Sequence, residues 1–122
     1  MNLATAKASV LKERTALEDS QGLSNPSYIS EHMQALSQYV AILDDLAREK
    51  EEGLDKQEAA LFSQYRADKM SVNGAQTQIK YEMMADRAEM ASLNRLVSSS
   101  WKFINACQSR LKYLVEEAKS TI

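Results

Sequence analysis

Two long stretches of this chain keep apolar residues at alternating three- and four-residue spacing, and one short polar break separates them. The first runs Ile29, Met33, Leu36, Val40, Leu43, Ala47 and resumes at Leu54 and Leu61; the second runs Met90, Leu93, Val97, Ile104, Cys107, Leu111, Leu114 and Ala118. A strand turns successive side chains to opposite faces and cannot gather such a set on one side, whereas a helix places it on a single seam. The spacing is that of heptads, the pattern of helices that pack along their length. An all-α chain is expected.

Leu3, Val10 and Leu17 lie seven apart with Ala6 and Leu11 beside them, which predicts a short first helix over about residues 3–18. It should stop in Asp19-Ser20-Gln21-Gly22, a cluster of turn-forming residues. Asn25 can cap a second helix whose first residue, Pro26, lacks an N–H that would be unsatisfied there anyway. That helix should reach about residue 69, with Gly53 its one weak point, about 1 kcal/mol worse than alanine. After Met70, Ser71 can cap a third helix over about residues 71–119, although Gly74 weakens its first turn.

The resulting layout is one domain over residues 1–122: a short N-terminal helix and a long antiparallel, coiled-coil-like helical hairpin. Folding the hairpin at residues 70–71 sets Val40 near Trp101, Leu36 near Ile104, and Gly53 near Ala88 in a close approach of two small residues. A helix from Pro26 to Lys69 would be about 66 Å long, against a diameter of about 35 Å for a compact domain of this size. Either the hairpin bends at Gly53 or it is elongated and associates with copies of itself. A second apolar stripe at Leu46, Tyr65, Leu96, Phe103 and Leu114 is the expected interface of a homo-oligomer.

Several chemistries lack their residues. His32 and Cys107 are the only histidine and cysteine, too few for a zinc site within one chain or for the paired Glu-x-x-His motifs of a di-iron bundle. The glycines stand far apart, so no phosphate-cradling loop forms. Cys107 belongs to the seam, where a thiol packs rather than reacts, and His32 reads as a solvated or capping residue. The carboxylates from Asp44 to Glu58 alternate with Arg48, Lys50 and Lys56, as on a solvated helix face. No catalytic residue, metal or cofactor is expected.

Met1 to Lys12 lacks the apolar run of a signal peptide, and the longest such run, Tyr39 to Leu43, falls far short of the ~20 residues that cross a bilayer. A soluble, cytoplasmic protein without membrane contact is expected.

The net charge of −2 offers no overall attraction for nucleic acid, so binding would need a local patch. One exists: no acidic residue lies between Glu89 and Glu116, while Arg95, Lys102, Arg110 and Lys112 all do. Arg95 and Lys102 are one heptad apart, opposite Leu93 and Val97, and Arg110 continues their stripe. Ser98, Ser99, Gln108 and Ser109 offer hydrogen-bond donors beside it, and Trp101 and Tyr113 could stack on unpaired bases. The same stripe would equally serve as a solvated outer face, or pair with the acidic centre of helix two in a neighbouring subunit.

In layout the chain resembles the recombination mediators of T4-like phages. The likeness rests on Tyr28 and Tyr39 in an early helix, a charged middle, Phe62-Ser63-Gln64-Tyr65-Arg66 before a polar turn, Ser100-Trp101-Lys102-Phe103, and Ala106-Cys107-Gln108-Ser109-Arg110-Leu111-Lys112. It implies a non-enzymatic oligomer in a bacterial host's cytoplasm that binds single-stranded DNA and assists a recombinase. Arg95, Lys102, Arg110, Lys112 and Trp101 would be the nucleic-acid-binding residues. The alternative is a protein-interaction module, such as a phage inhibitor of a host defence enzyme or a virion assembly adaptor.

Overall fold

The structure, a computed structural model, describes residues 1–19 and 25–120, and all of its regular elements are α-helices. They are α1 (Leu3–Glu18), α2 (Pro26–Ala67), α3 (Val72–Glu82) and α4 (Met84–Ser120). Among the described residues no helix is long and apolar enough to cross a membrane. Of the expected first turn, Ser20, Gln21 and Gly22 lie outside the described residues.

The helix boundaries follow local chemistry. The Asn2 side chain accepts a hydrogen bond from the Thr5 N–H at 2.8 Å, and Asn25 accepts from Ser27 and Tyr28 at 3.1 and 3.3 Å, so two of the first N–H groups of α2 find a partner. At its other end α2 stops two residues earlier than expected, because Lys69 adopts a left-handed conformation with φ 65°. The Met70 N–H then donates to the Tyr65 carbonyl and the Lys69 N–H to that of Arg66, a Schellman closure made without the usual glycine.

Ser71 caps α3 as expected, its hydroxyl accepting from the Gly74 N–H at 3.0 Å. A Cβ on Gly74 would stand 2.9 Å from that hydroxyl. The glycine that costs the helix propensity therefore makes room for its cap.

The expected third helix is two helices, parted by the single residue Met83 at φ −98°, ψ 4°. Met83 still donates its N–H to the Ile79 carbonyl and accepts from Arg87, so the interruption strands neither of its backbone groups. Its side chain is buried while that of Met84 is 61 % exposed. Gly53, by contrast, lies inside an unbroken α2, and an added Cβ would meet nothing within 4 Å. The close approach expected between Gly53 and Ala88 is therefore not made.

The chain forms two compact units, and α2 and α4 contribute to both. The first comprises Met1–Leu46 and Leu96–Ile122. Its core takes Ala6, Val10 and Leu17 from α1, Ile29, Leu36, Val40 and Leu43 from α2, and Val97, Ile104 and Cys107 from α4. The seam passes through Ser100, at 0 % exposure, and leaves Trp101 38 % exposed, so the buried seam position falls on Ser100 rather than on Trp101. Burial pushes the Cys107 thiol up, away from the reactive thiolate.

The second unit, Ala47–Arg95, buries Ala47, Leu54, Ala75, Ile79, Met83, Met90 and Leu93. Ion pairs join its helices: Lys50 to Glu89 at 2.9 Å, and Arg87 to Asp55 at 2.8 Å and Glu58 at 3.0 Å. These groups are partly exposed, so the pairs fix which residues meet more than they add stability.

Candidate nucleic-acid interface

The four cations between Glu89 and Glu116 are all exposed in the structure. Arg95 closes the second unit, whereas Lys102, Arg110 and Lys112 belong to the first. At about 100° per residue, Arg95, Lys102 and Arg110 fall within about 80° of one another around α4. Lys112 and Trp101 turn about 80–100° from Lys102 on the other side. Of the five residues expected as a site, Lys102, Arg110, Lys112 and Trp101 are exposed in the first unit and Arg95 is exposed in the second.

The neighbouring hydroxyls are occupied. Ser99 donates to the Leu96 carbonyl at 3.1 Å and Ser109 to that of Asn105 at 3.2 Å. The Arg110 guanidinium lies 5.5 Å from the Tyr113 ring centroid, which holds one cation over an exposed aromatic.

Arg14 of α1, not anticipated from the sequence, lies beside this surface. It donates to Ser99 at 2.9 Å and to the buried Ser100 at 3.4 Å, and its guanidinium covers Phe103 at 5.2 Å. Ser100 is thereby a satisfied seam residue. No sequence signal joins residues 85 positions apart.

His32, expected to be solvated or a cap, is partly exposed and paired. Its Nδ1 meets a Glu13 carboxylate oxygen at 2.6 Å, its ring stands 4.2 Å from that of Tyr28, and the Tyr28 hydroxyl donates to the Ala16 carbonyl at 3.2 Å. The cluster fastens α1 to the start of α2. Among the described residues no group of three or more His, Cys, Asp or Glu side chains could hold a metal ion.

Leu46, Tyr65, Leu96, Phe103 and Leu114, expected as an interface, are each half-buried within their own chain. Phe103 lies under Arg14, and the Tyr65 phenol donates to Glu82. The more exposed apolar side chains include Tyr81, Met84, Tyr113, Val72 and Val115.

In the second unit, side chains of α2, α3 and the first turn of α4 border a groove of about 690 Å³. Phe62, Ile79 and Met83 line it, and the Asp55–Arg87–Glu58 cluster lies at one end.

The Tyr65–Glu82 bond gives this unit a pH signature. The hydrogen bond from Tyr65, with a second from Gln78, holds the Glu82 carboxyl below the usual carboxylate range, and the same bond raises the Tyr65 phenol. The depressed carboxyl stabilises the fold above its unfolded pKa and loses that contribution as pH falls through its folded value. The raised phenol contributes below its unfolded pKa and loses it as pH rises through its folded value. Tyr65→Phe should therefore lower the urea midpoint between about pH 5 and 9, with the difference shrinking only as pH falls through the lowered Glu82 value or rises through the raised Tyr65 value. A difference that does not vary with pH would remove this bond from the account.

No protein-family model, no curated protein and no solved structure matches the chain. Its own residues are what define it: an all-helical chain with an exposed cationic stripe on its last helix.

Proposed function

We propose that this chain is a non-enzymatic, homo-oligomeric protein of phage type that binds single-stranded DNA along the outer face of α4 and assists a recombination protein. The observation that carries this reading is the exposure of Arg95, Lys102, Arg110 and Lys112 along a run of α4 without one carboxylate. Phosphate contacts need exposed cations at the spacing of a backbone, and exposed rings such as Trp101 and Tyr113 stack on bases of any sequence. An antiparallel hairpin of coiled-coil type is the scaffold in this reading. In its support, partners on α3 and α4 descend in number as those on α2 rise, from 50 with 89 to 55 with 87 and 65 with 82. Assistance to a recombinase rests on the resemblance in layout.

Fluorescence anisotropy with labelled oligo-dT at 50 mM salt should show binding that weakens steeply at 200 mM. No binding at 50 mM would overturn the reading and leave the protein-interaction module in its place.

A further inference from the structure

Two arginines of this chain are held against neighbouring helices at similar exposure, and their surroundings differ. The Arg87 side chain, 31 % exposed, meets Asp55 at 2.8 Å and Glu58 at 3.0 Å, so two carboxylates answer its charge. The Arg14 side chain, 23 % exposed, meets one carboxylate among the described residues, that of Glu18 at 3.9 Å, too far for a hydrogen bond. Its Nη1 donates instead to two neutral hydroxyls, Ser99 at 2.9 Å and Ser100 at 3.4 Å, and its guanidinium lies 5.2 Å from the Phe103 ring centroid. A cation withdrawn from water costs free energy unless a negative charge compensates it. Arg14 is pinned by groups that carry none.

The pair with Glu18 is also the weaker kind. It joins i to i+4 with the cation nearer the N-terminus, the less favourable order on a helix, and the Glu18 side chain is exposed. Lys102 lies one residue from Phe103 and three from Ser99, hence within a helical turn of the groups that hold Arg14. It is exposed and has no ion pair among the described residues. Lys7, also exposed, stands one heptad before Arg14 and about 20° from it around α1, whereas Glu13 turns to His32 of α2. This side of α1 thus adds positive charge beside the α4 face.

The geometry points to Arg14 as a phosphate-contacting residue, so that a single strand lies on a surface built from α1 and α4 rather than on α4 alone. Among the described residues no hydrogen bond holds its Nη2 or Nε. With Nη1 fixed on the two serines, that edge of the guanidinium presents a planar fork to a phosphodiester, and little side-chain freedom remains to be lost on contact. Glu18 competes with the strand for the same guanidinium. The assignment rests on the proposed binding of single strands and adds to it a residue from a second helix.

Three variants separate this contact from a merely structural one, with circular dichroism verifying that each is folded. In oligo-dT anisotropy from about 25 to 200 mM salt, Arg14→Gln should weaken binding about eightfold at 50 mM and make the log–log slope shallower by about 0.7, the share of one phosphate. Arg14→Lys keeps the charge without the fork and should keep the wild-type slope. Glu18→Gln removes the competing carboxylate and should tighten binding about twofold. If Arg14 only fastens α1 to α4, the Gln line runs parallel to the wild type's, and that result overturns the assignment, as does a Lys line as shallow as the Gln one. Should Arg14→Gln not fold, unchanged affinity in Glu18→Gln overturns it. A wild type that binds no oligo-dT at 50 mM removes the proposed function together with this contact. Binding that weakens in Lys102→Ala, Arg110→Ala but not in Arg14→Gln removes this contact alone.

Discussion

Leu43→Ala should lower the unfolding free energy by about 3 kcal/mol, read as a fall in the urea midpoint at unchanged slope. Leu43 is fully buried in the first unit, in the same row as Leu36 and Val40. Deleting its methyl groups forfeits their transfer from water and leaves a cavity that long helices close only in part, since neighbours three and four residues away are fixed by the same backbone. A chain of this size has about 5–15 kcal/mol to lose. Leu61→Ala, at a half-buried position of the same seam, should cost less than half as much. Equal losses at the two sites would mean that the seam is not the core.

Replacing both Lys102 and Arg110 by alanine should weaken oligo-dT binding by about 60-fold at 50 mM salt. Each phosphate contact on a single strand adds about 0.7 to the slope of log K against log salt, which at 50 mM amounts to about 0.9 log unit. Two contacts give about 1.8. Both residues are exposed on α4, away from the buried seam, so the fold should survive the change. Asp55→Asn and Glu58→Gln, made together in the other unit, supply the control: they alter charge at the groove and should leave affinity for the strand within about threefold.

The buried seam could be read from the sequence because its period is a property of the helix alone. Ile29, Leu36, Val40, Leu43, Ala47 and Leu54 on α2, and Met90, Leu93, Val97, Ile104 and Cys107 on α4, are all buried. The Asn25 and Ser71 caps were visible for the same reason, since their partners lie two or three residues away. Ser100 escaped the pattern because a hydroxyl sits at a seam position, where Arg14 satisfies it from another helix. The Glu13–His32 pair and the cover of Arg14 over Phe103 join helices through tertiary packing, which leaves no trace in local spacing.

The break at Met83 has neither proline nor glycine to announce it. The two units divide at Leu46 and Arg95, inside continuous helices, where composition does not change as it does at a linker. As for the candidate site, exposure of the cations followed from the seam, but occupation of the Ser99 and Ser109 hydroxyls and the presence of Arg14 did not.

The most direct test is the salt dependence itself. Dissociation constants for oligo-dT, measured by anisotropy from 25 to 200 mM salt, should give a log–log slope for the Lys102→Ala, Arg110→Ala protein that is shallower than the wild type's by about 1.4. Parallel lines for the two proteins would show that the outer face of α4 does not touch the phosphates.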